Sequence, residues 1–334
     1  MIRYIARTAA FGVAVLLALV AIVFALQHAS GLNPARALLG ANASSEAVAA
    51  KEHELGYDRP IAVQFLSYVS NALHGDLGVS VTTRGPVTTD IARYLPATLE
   101  LAIAAVVLAL LLGLVLGAAA VLGGARLSWI RYLLISGSSA PPFLLAIGLI
   151  LVFGVWTGML PTNGRATDAH LTGGPTGLLL VDTALGLDGA GFLDALRHLV
   201  LPAICVALAP AVAIGRVLRN SLEDTFNSEY AQTARAIGLS DLQILRRHAL
   251  RNSLNDVLAV AAFQIGAMFA GVVVVETVFS WPGLGLYASQ SIPNADFPAI
   301  AGITLVIGTA YVVINAVSDV LQSVIDPRIR SAIR

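Results

Sequence analysis

The chain is poor in charge. Of its 334 residues, 12% are charged and 57% are hydrophobic, and the mean hydropathy is +0.80. Soluble domains carry about 25% charged and about 45–50% apolar residues. Half the usual charge does not solvate a globular surface of this size, which excludes a water-soluble enzyme and a disordered chain. Cysteine is nearly absent. Cys205 stands alone, so neither an intrachain disulfide nor a cysteine metal cluster can form, and its place in an apolar run reads as packing. Lysine is equally scarce. The one lysine, Lys51, is followed by Glu52, whereas the phosphate loop of an ATPase needs Gly-x-x-x-x-Gly-Lys-Ser/Thr. Neither sign of charge is in excess: 20 basic and 20 acidic residues give zero, without the basic footprint of a nucleic-acid binder. His53-Glu54 has no second histidine at metal-binding spacing, and the six histidines are scattered, so no metal site is expected.

What is present in abundance is apolar runs. A membrane span needs about 20 mostly apolar residues. Six stretches fit: Thr8–Gln27, Leu101–Gly124, about Tyr132–Trp156, Leu199–Gly215 with Pro202 and Pro210, Val257–Val275 and Pro298–Ser318. Gly177–Leu187 is too short, carries Asp182, and is placed outside the membrane. The first run is longer than the about 7–15 residues of a signal-peptide core, and it reads as an uncleaved helix.

Basic residues near span ends set orientation. With the N-terminus inside, the inner segments hold Arg3, Arg7, Arg126, Arg131, Arg216, Arg219, Arg235, Arg246, Arg247, Arg251, Arg328, Arg330 and Arg334, thirteen of the 20 basic residues. Both termini are then cytoplasmic. The inner segments carry +7, the outer ones −4, and Glu100, Glu276 and Asp319 at span ends supply −3. The expected division is a first helix over 1–28, an extracytoplasmic domain over 29–97, a helical core over 98–325 and a cytoplasmic tail over 326–334. Within the core, 157–198 is an outer loop and 216–256 an inner one.

The inner loop has helical design. Asn227-Ser228 offers an N-cap, with Glu229 in the first turn where a carboxylate suits the helix dipole. Tyr230, Ala234 and Ile237 fall at i, i+4 and i+7 on one face. Gly238 ends the helix, and Ser240 with Gln243 makes a capping box for a second one carrying Arg246, Arg247 and Arg251. Ala231, Ala234 and Ala236 keep the first helix slim. On spacing alone two readings stand: a helix that enters a groove on another protein, and an interfacial segment whose arginines hold lipid headgroups.

The stretch from Tyr230 to Leu239, with Gln232, Thr233, Ala234 and Gly238 at the key positions, followed by His248-Ala249-Leu250-Arg251-Asn252, resembles the "EAA" loop of bacterial ABC-importer permeases. The pattern's glutamate is absent, and its later Leu-Pro is Leu250-Arg251. Both departures resemble the dipeptide and oligopeptide permease branch, although Asn255-Asp256 stands where that branch tends to have a proline. Gly56-Tyr57-Asp58-Arg59-Pro60, His74 to Ser80, Leu95 to Leu101, Val181 to Ala184, Asp194-Ala195, Leu201 to Ile204, Glu276 to Gly285 and Asp326 to Arg330 resemble the same branch in order, nearly end to end.

The resemblance implies an all-α integral membrane protein of the type I ABC importer permease fold, with six transmembrane helices. It implies a bacterial inner-membrane location and a peptide as the solute, with glutathione or a nickel chelate also handled in the wider family. The implied partners are a homologous second permease subunit, two ATP-binding subunits that carry ATP and Mg, and an extracytoplasmic solute-binding protein. No catalytic residue or cofactor is then expected on this chain. The residues implied for the ATPase-coupling helix are Tyr230, Ala231, Thr233, Ala234, Arg235, Ile237, Gly238 and Leu239.

Two other classes compete with this reading. A membrane serine protease would need a histidine at the depth of Ser138 or Ser139, and His170, His198 and His248 lie outside the spans. A stand-alone carrier or channel would line its path with intramembrane acids. Glu100, Glu276 and Asp319 are the path or gating candidates, and the alternative for each is an ion pair or a side chain reaching for the interface. A carrier would also show two related halves, and none is visible. Gly113 and Gly117 form a Gly-x-x-x-Gly packing face.

Overall fold

The computed structural model describes residues 2–31, 33–40, 42–123, 127–136, 141–168 and 174–325. Ser138, Ser139, His170 and the tail from Asp326 lie outside these, as does the side chain of Asp319. Among the described residues the backbone is helical apart from turns and one isolated antiparallel bridge, Val79 with Pro86.

In order the helices are α1 (Ile2–Ala29), α2 (Pro34–Leu39), α3 (Ser45–Leu55), α4 (Ile61–Leu73), α5 (Val87–Leu122), α6 (Ser128–Ser136) and α7 (Pro142–Leu149), which a π-helical turn Ile150–Trp156 continues. Then come α8 (Leu179–Leu185), α9 (Gly189–Phe226), α10 (Glu229–Ala236), α11 (Asp241–Ile244) with a π turn Leu245–Ala249, α12 (Leu250–Val278), α13 (Leu284–Ser291) and α14 (Phe297–Ile325).

Among the described residues, four helices are long and apolar enough to cross a membrane: α1, α5, α9 and α14. A fifth span is counted if Asp256–Met268 and Gly271–Val278 of α12, inclined at 49°, act as one. The predicted third span is carried differently, by α6 and by the short apolar helix Pro142–Trp156. Two spans outrun their apolar windows. α5 starts at Val87, ahead of Leu101, and α9 starts at Gly189, where the Asp188 Oδ1 accepts the Gly191 N–H at 3.0 Å. α9 continues through Pro202 and Pro210. Helix length follows backbone hydrogen bonding, whereas a hydropathy window ends at the first polar residues. α12 likewise runs unbroken through Asn255-Asp256.

The chain forms two compact units, one of Met1–Thr98 with Pro282–Val312, the other of Leu99–Trp281 with Val313–Arg334. The segment 282–312 thus clusters with the N-terminal third, although the sequence groups it with the helical core.

In the first unit, Val87 and Ile91 pack with Leu284, Tyr287, Ala299 and Ile303. Tyr94 stacks on Tyr287 at 5.0 Å, and the Tyr287 hydroxyl donates to Asp90 at 2.9 Å. Asp296 is fully buried. One of its oxygens accepts from the Ser80 hydroxyl (2.5 Å) and the Thr82 N–H (2.9 Å), and the other faces the Ala299 N–H (3.3 Å) as the cap of α14. α1 and α14 approach closely: a Cβ on Gly12 would lie 2.5 Å from Val312.

In the second unit α9 is the central element. A Cβ on Gly113 would come within 2.6 Å of Ile214, and one on Gly117 within 2.8 Å of the Gly215 carbonyl. The Gly-x-x-x-Gly face of α5 therefore packs directly on α9, as small residues permit. Cys205 is buried and donates to the Pro142 carbonyl at 3.2 Å, a packing role.

Candidate functional site

The inner loop is built on one stripe of α9. Ile214, Leu218, Leu222 and Phe226 recur every four residues and are buried with Ala231 and Ala234 of α10 and with Ile244, Leu245 and Ala249 beyond it. The buried face of α10 is Ala231 and Ala234. Tyr230 and Ile237, which share Ala234's face by spacing, are exposed instead. The small alanines let α10 lie flat on its own scaffold, and the outward surface is formed by Tyr230, Gln232, Thr233, Arg235, Ile237 and, from α11, Leu242.

The start of α10 differs from expectation. Ser228 occupies the N-cap, but its hydroxyl donates back to the Thr225 carbonyl at 2.5 Å and caps nothing. The end of α10 follows the sequence. Gly238 has φ +91°, its N–H bonds to the Arg235 carbonyl (2.9 Å) and the Leu239 N–H to the Ala234 carbonyl (3.1 Å). This is the Schellman arrangement, in which a left-handed residue lets two late carbonyls be satisfied. The Ser240–Gln243 capping box is formed in both directions.

Arg235 fastens the helix at two points. Its Nε donates to Asp241 at 2.9 Å, tying α10 to α11, and its Nη1 donates to the Phe226 carbonyl at 3.0 Å, tying α10 to the end of α9. The guanidinium also lies over the Phe226 ring. Below, Ser221 donates to Asp256 at 2.9 Å, joining α9 to α12. The result is a short helix seated on a long span by its alanine face and tied there by Arg235 in its last turn, with an exposed mixed surface.

The three acidic candidates fare differently. Glu100 is buried in an ion pair with Arg165, Nη2 to Oε2 at 2.6 Å and Nε to the same oxygen at 2.8 Å. Its second oxygen accepts the Leu180 N–H at 2.7 Å, and Arg165 also donates to the Gly177 carbonyl at 2.8 Å. This carboxylate joins the turn at Arg165 to the start of α8. It also borders an otherwise apolar cavity of about 500 Å³ between α5, α8 and α9, lined by Val107, Leu111, Leu180, Leu199 and Ile204. Glu276 is fully buried near the end of α12, and its carbonyl accepts the Trp281 N–H at 2.8 Å. Asp319 lies on α14, with its side chain outside the described residues.

With this geometry in hand, likeness to known proteins decides the family. Residues 105–331 match the binding-protein-dependent transport system inner membrane component family, and residues 1–102 match the N-terminal part of such membrane components. The chain belongs to this family. Three relatives are similar over most of their length. A probable D,D-dipeptide transport system permease protein of Escherichia coli is 39% identical over 92% of both chains. A di/tripeptide transport system permease protein of Pseudomonas aeruginosa is 36% identical over 99% of both. A glutathione transport system permease protein of Salmonella choleraesuis is 33% identical over 99% of both.

The expected fold class thus holds: an all-helical integral membrane permease of the binding-protein-dependent family. Two site features of this permease escaped sequence reasoning. Arg165 is 65 residues from Glu100, and nothing local marks it as the partner. Asp296 is one of the acids within the −4 of the expected outer segments, yet Asp followed by Phe297-Pro298 is a local pattern of a helix start.

Proposed function

We propose that this permease is the membrane subunit of an ATP-driven importer that passes dipeptides or short oligopeptides into the cytoplasm. The observation that carries the substrate class is the near full-length likeness to permeases named for dipeptides and di/tripeptides at 36–39% identity. The spans form half of a path that a homologous second subunit completes in the inner membrane. A solute-binding protein delivers the peptide at the outer face. Two ATP-binding subunits, carrying ATP and Mg, sit at the inner loop, and this chain itself performs no chemistry.

The outward surface of α10 is the coupling element. Tyr230, Ile237 and Leu242 supply apolar contacts, and Gln232 and Thr233 supply polar ones. Ala231 and Ala234 act from beneath, and Arg235, itself on the exposed side, ties the helix to the end of α9. Packed elements move as units, so a helix seated on α9 and tied to it by Arg235 carries motion of the ATPase into the spans.

The test is reconstitution in liposomes with the partner permease, the ATPases and the binding protein. Uptake of a labelled dipeptide that requires ATP and every subunit is the expected result. Transport by the chain alone without ATP would overturn it. Glutathione is the second reading, motivated by the relatives at 33% identity. It predicts that glutathione, and not a dipeptide, competes for uptake.

A further inference from the structure

α4 is amphipathic in an unusual sense. Eight of its 13 residues are apolar, none is charged, and none is buried by the rest of the chain. Gln64, Ser67, Tyr68 and Asn71, spaced i, i+3, i+4 and i+7, share one face. That polar face lines a cavity of about 480 Å³ whose opposite wall includes Val23, Phe24 and Gln27 of α1 and Phe297, Pro298 and Ala301 of α14. The other face turns outward, with Leu66 66% and Leu73 82% exposed. A helix standing in water would do the reverse, because its stability comes from burying the apolar face.

A ring contact sets α4 against α1. Phe65 of α4 meets Phe24 edge-on, with centroids 5.8 Å apart, and Phe24 belongs to the membrane-crossing stretch Ala10–Ala29. α1 turns its own apolar residues outward at the same level, Ile22 and Leu26 among them. At 13 residues α4 is about 20 Å long, too short to cross a core about 30 Å thick but long enough to lie along it. An uncharged helix beside the outer end of a span, continuous with that span's apolar surface, fits hydrocarbon better than a soluble partner's polar rim.

From this juxtaposition we infer that α4 lies in the outer leaflet of the bilayer. Its apolar face contacts acyl chains, and its polar face walls a hydrated cavity at the membrane boundary. The occupant of the exposed face is lipid.

The experiment uses the full complex in nanodiscs, with Cys205→Ser as background and spin labels at Leu66→Cys, Leu73→Cys, Ser67→Cys and Asn71→Cys. Collision with molecular oxygen should exceed collision with a water-soluble nickel chelate at 66 and 73, with the order reversed at 67 and 71. Nickel access at 66 and 73 would place the face in water, and exclusion of both probes would place it under a protein partner. Either result overturns the inference. Should a labelled variant fail to assemble, photoactivatable phospholipid added to the unaltered complex serves instead. Adducts mapped to Leu66 and Leu73 are expected, and their absence from 61–73 overturns it.

Discussion

The guanidinium of Arg235 lies 5.4 Å from the centre of the Phe226 ring and donates to the carbonyl of that same residue. One side chain therefore grips both the ring and the backbone at the end of α9, and its third contact, to Asp241, reaches α11. Replacing Arg235 by Lys keeps the charge but loses the planar fork, and Arg235→Gln loses both. Substrate-stimulated ATPase activity of the assembled complex should fall in the order wild type, Lys, Gln, with assembly retained. The site is partly exposed, so a local loss of about 1 kcal/mol is expected. Full stimulation in Arg235→Gln would show that α10 does not need this clamp.

Gly238 and Ser280 make a matched pair. Both follow helix ends of the same hydrogen-bond pattern, with φ +91° and +48°. A Cβ on Gly238 would meet nothing within 4 Å, so Gly238→Ala is penalised by conformation alone, about 1–2 kcal/mol. Ser280→Gly relieves the same strain and should raise the melting temperature in detergent, by about 1 kcal/mol in stability. Opposite signs are expected in one thermal-shift series. A neutral Gly238→Ala would mean the loop takes another turn.

The Glu100–Arg165 pair separates a structural acid from a path acid. Both side chains are 7% exposed, and removing either leaves a charge buried alone, at a cost of about 3–5 kcal/mol. Glu100→Gln and Arg165→Met should each reduce the folded amount of protein. The double replacement Glu100→Leu with Arg165→Met should recover much of it. Uptake normalised to folded protein is expected to stay near wild type in the double variant, and a selective loss of uptake would return Glu100 to the path.

Asp296 distinguishes capping from tertiary bonding. Asn and Asp cap helices about equally well. Asp296→Asn keeps the cap to Ala299 but turns an amide donor toward the Thr82 N–H, which is already a donor. A destabilisation of about 1–3 kcal/mol is expected, seen as a lower denaturation midpoint. An unchanged midpoint would assign the residue to capping only.

Much of the inner loop was legible beforehand because it is local. Gly238 stops α10 and the Ser240–Gln243 box starts α11, each set by spacings of a few residues. The face of α10 was not legible. Tyr230, Ala234 and Ile237 share a side by period, but period does not say what stands behind it. The stripe on α9 receives only alanine, so Ala231 and Ala234 turn in while Tyr230 and Ile237 turn out. Nor do apolar windows reveal that α5 and α9 continue as helices into polar sequence, since hydrogen bonding propagates past the end of a hydrophobic run.

By itself the sequence determined that this is a membrane-spanning helical chain and where its scarce charge falls. Hydrophobic length and basic asymmetry follow directly from composition along the chain. Only the tertiary structure decided that Glu100 is locked by Arg165 and that Asp296 ties Ser80 and Thr82 to the start of α14. It also decided that α4 shows its apolar side outward. Those outcomes depend on which distant residues meet. A buried charge or polar oxygen takes whichever partner the packed helices bring within reach, and no spacing along the chain encodes that distance.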